Sequence, residues 1–266
     1  MKRIQILIIS MLVMLFLETC STVPLTGRKQ VNLLPESEMV AMGFSNYSEF
    51  KKEAVLSSHQ QNQSMVRNVG ANITNAVNKY FSENNLSSRL SGYEWEFNLF
   101  EDDTPNAWAM PGGKVAIYEG ILPFTRNAEG LAVVVGHEIA HIVARHGNER
   151  MSHQLVVQLG GIALSAALDE KPEETRNIFL AAYGLGSQVG AILPYSREHE
   201  KEADKLGLIF MAMAGYNPAT AIDFWERMSS MGGSKPPEFL STHPSDATRI
   251  MELKNYLPEA MKYFEE

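Results

Sequence analysis

Apolar positions fall along this chain in three patterns, and each predicts a different kind of structure. The first is a near-continuous run from Ile4 to Leu17, broken only by Gln5 and Ser10 and preceded by Lys2 and Arg3. A run of that length is short for a bilayer span, and a basic start before it is the pattern of a secretory leader. The second pattern is alternation. Trp95, Phe97 and Leu99 alternate with polar neighbours and predict a strand. Asn106 to Gly113, then Val115, Ile117 and Tyr118, predict two short strands joined by the Gly112-Gly113 pair. The third pattern is helical spacing. Ser37 reads as a helix start ahead of Met39, Val40 and Met42, and Met65, Val66, Val69, Ile73, Val77 and Tyr80 mark an amphipathic helix. From Ala128 the chain is mainly helical, with helices expected over about 128–146, 150–168, 174–190, 196–214 and 218–231 and a last one after Pro244. Asp169 to Glu174 reads as a solvated loop, and residues 21–35, with Pro24, Gly27 and Pro35, as an extended arm. The fold class is α+β: a mainly helical domain with a small antiparallel sheet.

One helical segment carries chemistry. Gly136-His137-Glu138-Ile139-Ala140-His141 holds the pattern H-E-x-x-H. Residues four apart share a helix face, so both imidazoles can reach one ion. Glu138 lies about 100° round from His137, where it can act as general base toward water without being the nearest ligand. A chance H-E-x-x-H belongs on a charged, solvated helix. Here the flanks are Leu131 to Val135, Ile139, Ile142 and Val143, so the helix is apolar nearly all round. Two histidines and a glutamate buried there are costly unless something binds them. The reading is one Zn2+ with three protein ligands. A third histidine ten residues after His137 is excluded, because that position is Gly147. Between His141 and the C-terminus, E-x-x-x-D occurs once, as Glu200 and Asp204. Glu200 is therefore expected as third ligand and Asp204 as the acceptor that orients a ligating histidine. Glu198, His199 and Glu202 compete, but would point elsewhere if Glu200 faces the metal. Arg145 and His146 are expected on the metal helix, off the ligand face, in structural roles.

Composition changes this picture little. The chain has 266 residues, 45% of them hydrophobic and 20% charged, enough for one substantial core. Its net charge of −8, with no Lys/Arg-rich run, excludes nucleic acid as a partner. Cys20 is the only cysteine, so no disulfide forms within the chain. It directly follows the apolar run, with Leu17 three positions before it, and is expected to be lipidated after cleavage. Glu18 and Thr19 depart from the small residues usual there. The expected organisation is a signal peptide over 1–19, a lipidated tether over 20–35, a zinc metallopeptidase domain over 36–255 and a tail over 256–266. No later stretch is apolar enough to span a bilayer, so the expectation is a soluble body tethered to a membrane through Cys20.

Five segments together resemble one family. They are Pro24 to Arg28, Asn106 to Gly113, His137 to His141, Ser196 to Asp204 and Thr242 to Ser245. The chain resembles the HtpX-like and CAAX-prenyl-protease-like zinc peptidases, which are gluzincins with a zincin-like domain, over about residues 22–255. The resemblance implies an endopeptidase acting on unfolded, misfolded or misassembled envelope proteins. It implies Glu200 as third zinc ligand, in agreement with the E-x-x-x-D pattern. It also implies substrate binding by strand addition along the strand before the metal helix, through Gly112, Gly113 and Val115. His243 is implied near the zinc, either in the fourth position or stabilising an oxyanion, and Arg249 is a further candidate. The location expected on these grounds is a bacterial cell envelope, lipid-anchored at the outer membrane and facing the periplasm. A latent zinc-containing chaperone or assembly factor with little proteolysis is the alternative.

Overall fold

The computed structural model describes residues 20–188, 193–230, 238–243 and 247–264. The expected leader and residues Pro244 to Asp246 lie outside them. The chain divides into two compact units, one of residues up to 36 with 145–198, the other of 37–144 with 199–266.

The larger unit begins with α1 (Glu36–Glu53) and α2 (Gln60–Glu83). Helix α2 buries Val66, Val69, Ile73, Val77 and Phe81, a stripe at the expected spacing. A three-stranded sheet follows, made of β3 (Glu96–Phe100), β4 (Ala107–Met110) and β5 (Lys114–Tyr118) in the order β3-β5-β4. The β4–β5 pair is the expected antiparallel hairpin. Strand β3 joins β5 in parallel, so the sheet is mixed. The reason is the loop between Phe100 and Ala107. It carries the chain past the central position to the far edge, and β5 returns between its two neighbours. The hairpin turn needs its glycines: Gly112 and Gly113 have φ of +86° and +96°, a region L side chains rarely adopt.

This order corrects the expectation for Gly112, Gly113 and Val115. Strand β5 is central, Val115 is fully buried, and the carbonyls of Gly112 and Gly113 already accept from Glu94 and Glu96. The outer edge of β3 is covered too. The Leu99 amide donates to Gln63 Oε1 at 2.7 Å, and its carbonyl accepts from Ser57 at 2.9 Å. The edge left for an added strand is that of β4. Asn106 pairs with Tyr118 through a backbone bond, so the alternation of an antiparallel ladder turns the polar groups of Ala107 and Ala109 away from β5. The Ala107 amide is already taken, donating to Asn106 Oδ1 at 2.9 Å, which leaves Ala109 to offer both its groups.

After the short α3 (Leu122–Thr125) comes α4 (Ala128–Val143), which carries the H-E-x-x-H residues. The Asn127 side chain caps it by accepting from the Gly130 amide at 3.0 Å. Residues 130–140 are all buried, as the apolar flanks require. The helix ends at Val143, short of 146, because Arg145 sits in the left-handed region with φ 59°. The remaining helices are α7 (Leu193–Met213), α8 (Thr220–Ser230), α9 (Glu238–Thr242) and α10 (Ala247–Phe264). Helix α10 runs on through residues 256–264, where a tail was expected.

Helices α4 and α7 touch backbone to backbone. A Cβ on Gly136 would lie 2.9 Å from the Gly207 carbonyl oxygen, and one on Gly207 would lie 2.9 Å from the His137 amide nitrogen. No side chain fits at that crossing.

In the smaller unit, β1 (Cys20–Thr22) and β2 (Lys29–Val31) form an antiparallel pair, with Cys20 opposite Val31. Helices α5 (His146–Ala167) and α6 (Glu173–Ser187) complete it. Residues 20–35 are thus a hairpin clamped to α5, in place of an extended arm. Arg28 makes a two-pronged ion pair with buried Glu149 at 2.8 and 2.7 Å. Ser152 Oγ accepts from the Leu33 amide and Asn148 donates to the Leu34 carbonyl, both at 2.8 Å. Arg145 and His146 lie in this unit, Arg145 beside Glu36 at 3.2 Å. Among the described residues no helix is long and apolar enough to cross a membrane.

The crossing yields a prediction. Alanine in place of glycine inside a helix ordinarily gains about 0.5–1 kcal/mol. At Gly207 the new methyl must displace backbone, which costs about 1–3 kcal/mol. Gly207→Ala should therefore lower stability in urea unfolding. Equal or greater stability would show that the helices are free to part.

Candidate metal centre

The α4–α7 crossing sets two helix faces opposite each other. His137 and His141 project from one, Glu200 and Asp204 from the other, and His243 enters from the bend after α9, its amide bonded to the Phe239 carbonyl at 2.8 Å. Four side chains then converge. One donor atom from each of His137, His141, Glu200 and His243 lies within 4.8 Å of the others, close enough to hold one metal ion. His137 Nε2 is 3.0 Å from His141 Nε2 and 3.0 Å from His243 Nδ1. Glu200 presents Oε2 to His137 at 3.3 Å and to His243 at 2.8 Å, and Oε1 to His141 at 3.4 Å. Three imidazoles and a carboxylate are a donor set that suits zinc.

Behind these donors runs a second layer of polar contacts. Asp204 Oδ1 lies 3.0 Å from His137 Nδ1, leaving Nε2 turned into the donor group. Arg249 grips both Asp204 oxygens, through Nε at 2.7 Å and Nη2 at 2.6 Å, and donates from Nη1 to the His243 carbonyl at 3.1 Å. Its guanidinium lies over the Trp225 ring, 3.4 Å from the centroid. In the sequence Arg249 is a candidate without a role, and Trp225 carries no signal at all. No local motif marks either, because they meet the site only through the packing of α8 and α10 around it.

The electrostatics follow from burial and these contacts. Burial opposes the charged form of His137, but Asp204 and Glu200 outweigh it and raise the pKa to about 9. Burial also works against the Glu200 carboxylate, yet His141, His137 and His243 together hold it well below its ordinary range. Asp204 is pushed up by burial and brought down further by Arg249 and His137. The centre therefore keeps two ionised carboxylates under buried imidazole, and metal binding here is coupled to proton release. Glu138 differs. Burial is the largest influence on it and pushes its pKa up. Its Oε1 is buried with no hydrogen-bond partner; the His243 Nε2 contact, at 3.5 Å, is too long to be one. A buried carboxylate oxygen left open beside four convergent donors is the arrangement expected where a metal and its reactant belong.

Of the residues expected from sequence, His137, Glu138, His141, Glu200, Asp204 and His243 come together. Glu198, His199 and Glu202 are not in the donor group. Gly112, Gly113 and Val115 lie in the sheet, and Cys20 is in β1 of the other unit.

The chain is similar to known proteins. "Mitochondrial metalloendopeptidase OMA1" of Schizosaccharomyces pombe is 41% identical over 175 residues, covering 65% of this chain and 50% of that protein. Its Saccharomyces cerevisiae namesake is 36% identical over 209 residues, covering 76% of this chain and 57% of that protein. The "Beta-barrel assembly-enhancing protease" of Escherichia coli is 29% identical over 187 residues, covering 65% of this chain and 37% of that protein. The chain thus spans about half the length of its OMA1 relatives. These similarities overturn the expected bacterial outer-membrane location, since the OMA1 relatives carry mitochondrial names in fungi, a plant and animals. The description of Peptidase family M48 matches residues 69–257, a stretch that holds every member of the donor group, and the chain belongs to that family of zinc-dependent metallopeptidases.

Proposed function

We propose that this chain is a zinc metalloendopeptidase that cleaves unfolded or misassembled proteins, with His137, His141 and Glu200 as metal ligands and Glu138 as general base. The observation that carries it is the open, buried Glu138 Oε1 beside the four convergent donors. Zinc held there supplies Lewis acidity, polarising a peptide carbonyl and lowering the pKa of water toward about 7. Burial raises the pKa of Glu138, which makes it a better proton acceptor than a free carboxylate. Asp204 fixes the tautomer of His137, and Arg249 fixes Asp204.

An extended chain enters beside β4. Half-exposed Ala109 offers it a backbone amide and carbonyl, and recognition through backbone alone requires a substrate segment that is locally unfolded. Tyrosine, tryptophan and methionine side chains along the hairpin leave this edge half-exposed at Trp108 to Met110. Acylation of Cys20 is a separate proposal, independent of compartment, that rests on the apolar run ahead of it.

His243 favours a second element of the reading, latency. Its Nδ1 belongs to the donor group while its Nε2 faces Glu138 Oε1, so it stands where water must lie between metal and base. The resting enzyme is then restrained until His243 moves away.

Three measurements test these assignments. Glu138→Gln should keep its zinc and its melting temperature while cleavage of unfolded casein falls by about 10²–10⁴-fold; cleavage near the wild-type rate would remove Glu138 as base. His243→Ala should raise kcat. A fall of about a hundredfold would instead make it an oxyanion donor, and an unchanged kcat and zinc content would leave it structural. Ala109→Pro removes one outward amide at an edge, where proline is tolerated. It should raise KM about fivefold, the worth of one hydrogen bond, with kcat little changed. An unaltered KM would place the substrate elsewhere.

A further inference from the structure

The peptidase chemistry makes no use of the outer side of the α5–α6 hairpin. Val156, Leu159 and Ile162 on α5 and Ile178, Phe179 and Leu185 on α6 are between 47% and 71% exposed. Helix α6 has no buried residue at all. Tyr183, its largest polar side chain, turns inward: its hydroxyl donates to the Val157 carbonyl at 2.9 Å, against Gly160. The aliphatic side chains are left facing out. Charge is missing from the same surface. No Asp, Glu, Lys or Arg occurs from Gln154 to Leu168 or from Asn177 to Ser187, whereas Asp169, Glu170, Lys171, Glu173, Glu174 and Arg176 crowd the turn between the helices. Six large apolar side chains exposed on the uncharged stretches of one helical hairpin mark an interaction surface.

Two features decide what covers it. A protein interface carries anchoring Arg or Tyr and a polar rim that needs matching partners. This face is uncharged, and apart from Phe179 and the two glutamines of α5, Gln154 and Gln158, it is aliphatic with small residues between, which is what hydrocarbon accepts. The second feature is continuity with the N-terminus. Residues Leu33 and Leu34 and Arg28 are fixed to the first turns of α5, in the same unit, and the apolar run Ile4–Leu17 leads into Cys20 of that clamped hairpin. In sequence, an apolar, membrane-seeking run therefore leads directly into the unit that bears the uncovered face. Neither helix is long and apolar enough to cross a bilayer, and the charged turn must stay in water.

We propose that the α5–α6 hairpin lies flat on a lipid bilayer, with Leu159, Ile162, Ile178 and Leu185 at the level of the acyl-chain boundary. The hairpin is a contact with lipid in its own right, additional to whatever holds the N-terminus.

The test uses the full chain in a Cys20→Ser background, with Leu159→Cys, Ile178→Cys, Leu185→Cys or, as a control in the other unit, Glu226→Cys, each bearing an environment-sensitive fluorophore. Phosphatidylcholine vesicles should shift emission to the blue at the three hairpin positions and not at 226. Ile178→Glu with Leu185→Glu should reduce the vesicle-bound fraction about tenfold or more, while cleavage of soluble unfolded casein persists and shows that the chain is folded. Unshifted emission at the hairpin positions, with the protein bound to vesicles, would overturn the proposal. So would a blue shift that grows with protein concentration in the absence of vesicles and accompanies a doubled mass in light scattering, which would assign the face to a second copy of the chain.

Discussion

Two glycines with no room for a methyl between them hold the rest of the centre in place. Gly136 immediately precedes His137, and Gly207 lies one turn beyond Asp204 and two beyond Glu200. A carboxylate side chain is short. It reaches imidazoles on a facing helix only where the two helix axes approach more closely than ordinary side chains allow. The contact of Gly136 with Gly207 provides that approach, and the distances from Glu200 to His137 and His141 follow from it. Hydrophobic burial along α4 then makes the crossing rigid, since residues 130–140 have nowhere else to go.

Such burial creates an electrostatic problem, and the site resolves it in layers. Glu200 and Asp204 would both resist ionisation in an apolar interior. Glu200 is balanced by imidazoles, and Asp204 by the two-pronged grip of Arg249, itself spread over the face of Trp225. Around Glu138, His243 and His137 oppose burial but do not outweigh it, and the pKa goes up. The same helix thus holds an imidazole, His137, whose charge is favoured and, at the next residue, a carboxylate whose charge is disfavoured. That contrast separates a group suited to binding from a group suited to exchanging a proton.

What could be read from sequence was the part governed by local periodicity. The spacing of His137 and His141, the single E-x-x-x-D at Glu200 and Asp204, and the hairpin at Gly112-Gly113 are short-range facts, and the elements they imply are present. What stayed hidden depends on contacts between residues far apart. Parallel pairing of β3 with β5 has no local signature, because the loop after Phe100 decides it. That pairing made β5 central and moved the free edge to β4. The early end of α4 rests on one non-glycine residue, Arg145, in a left-handed conformation that no composition rule foresees. Arg249 sits six residues after His243 in a helix of ordinary charge pattern, and only the fold brings its guanidinium to Asp204.

The clamp on the N-terminal hairpin has a mechanical meaning. Tension applied at Cys20 enters β1 opposite Val31 and passes along the strand into the turn that ends at Arg28. Before β2 the load meets Arg28, where two parallel bonds to Glu149 share it, and beyond β2 it meets the anchors at Ser152 and Asn148 on successive turns of α5. A tether built in this way transmits force into the side of a helix, where backbone bonds lie parallel to the axis and resist unwinding. A chain attached at a frayed terminus would peel from its end under the same load.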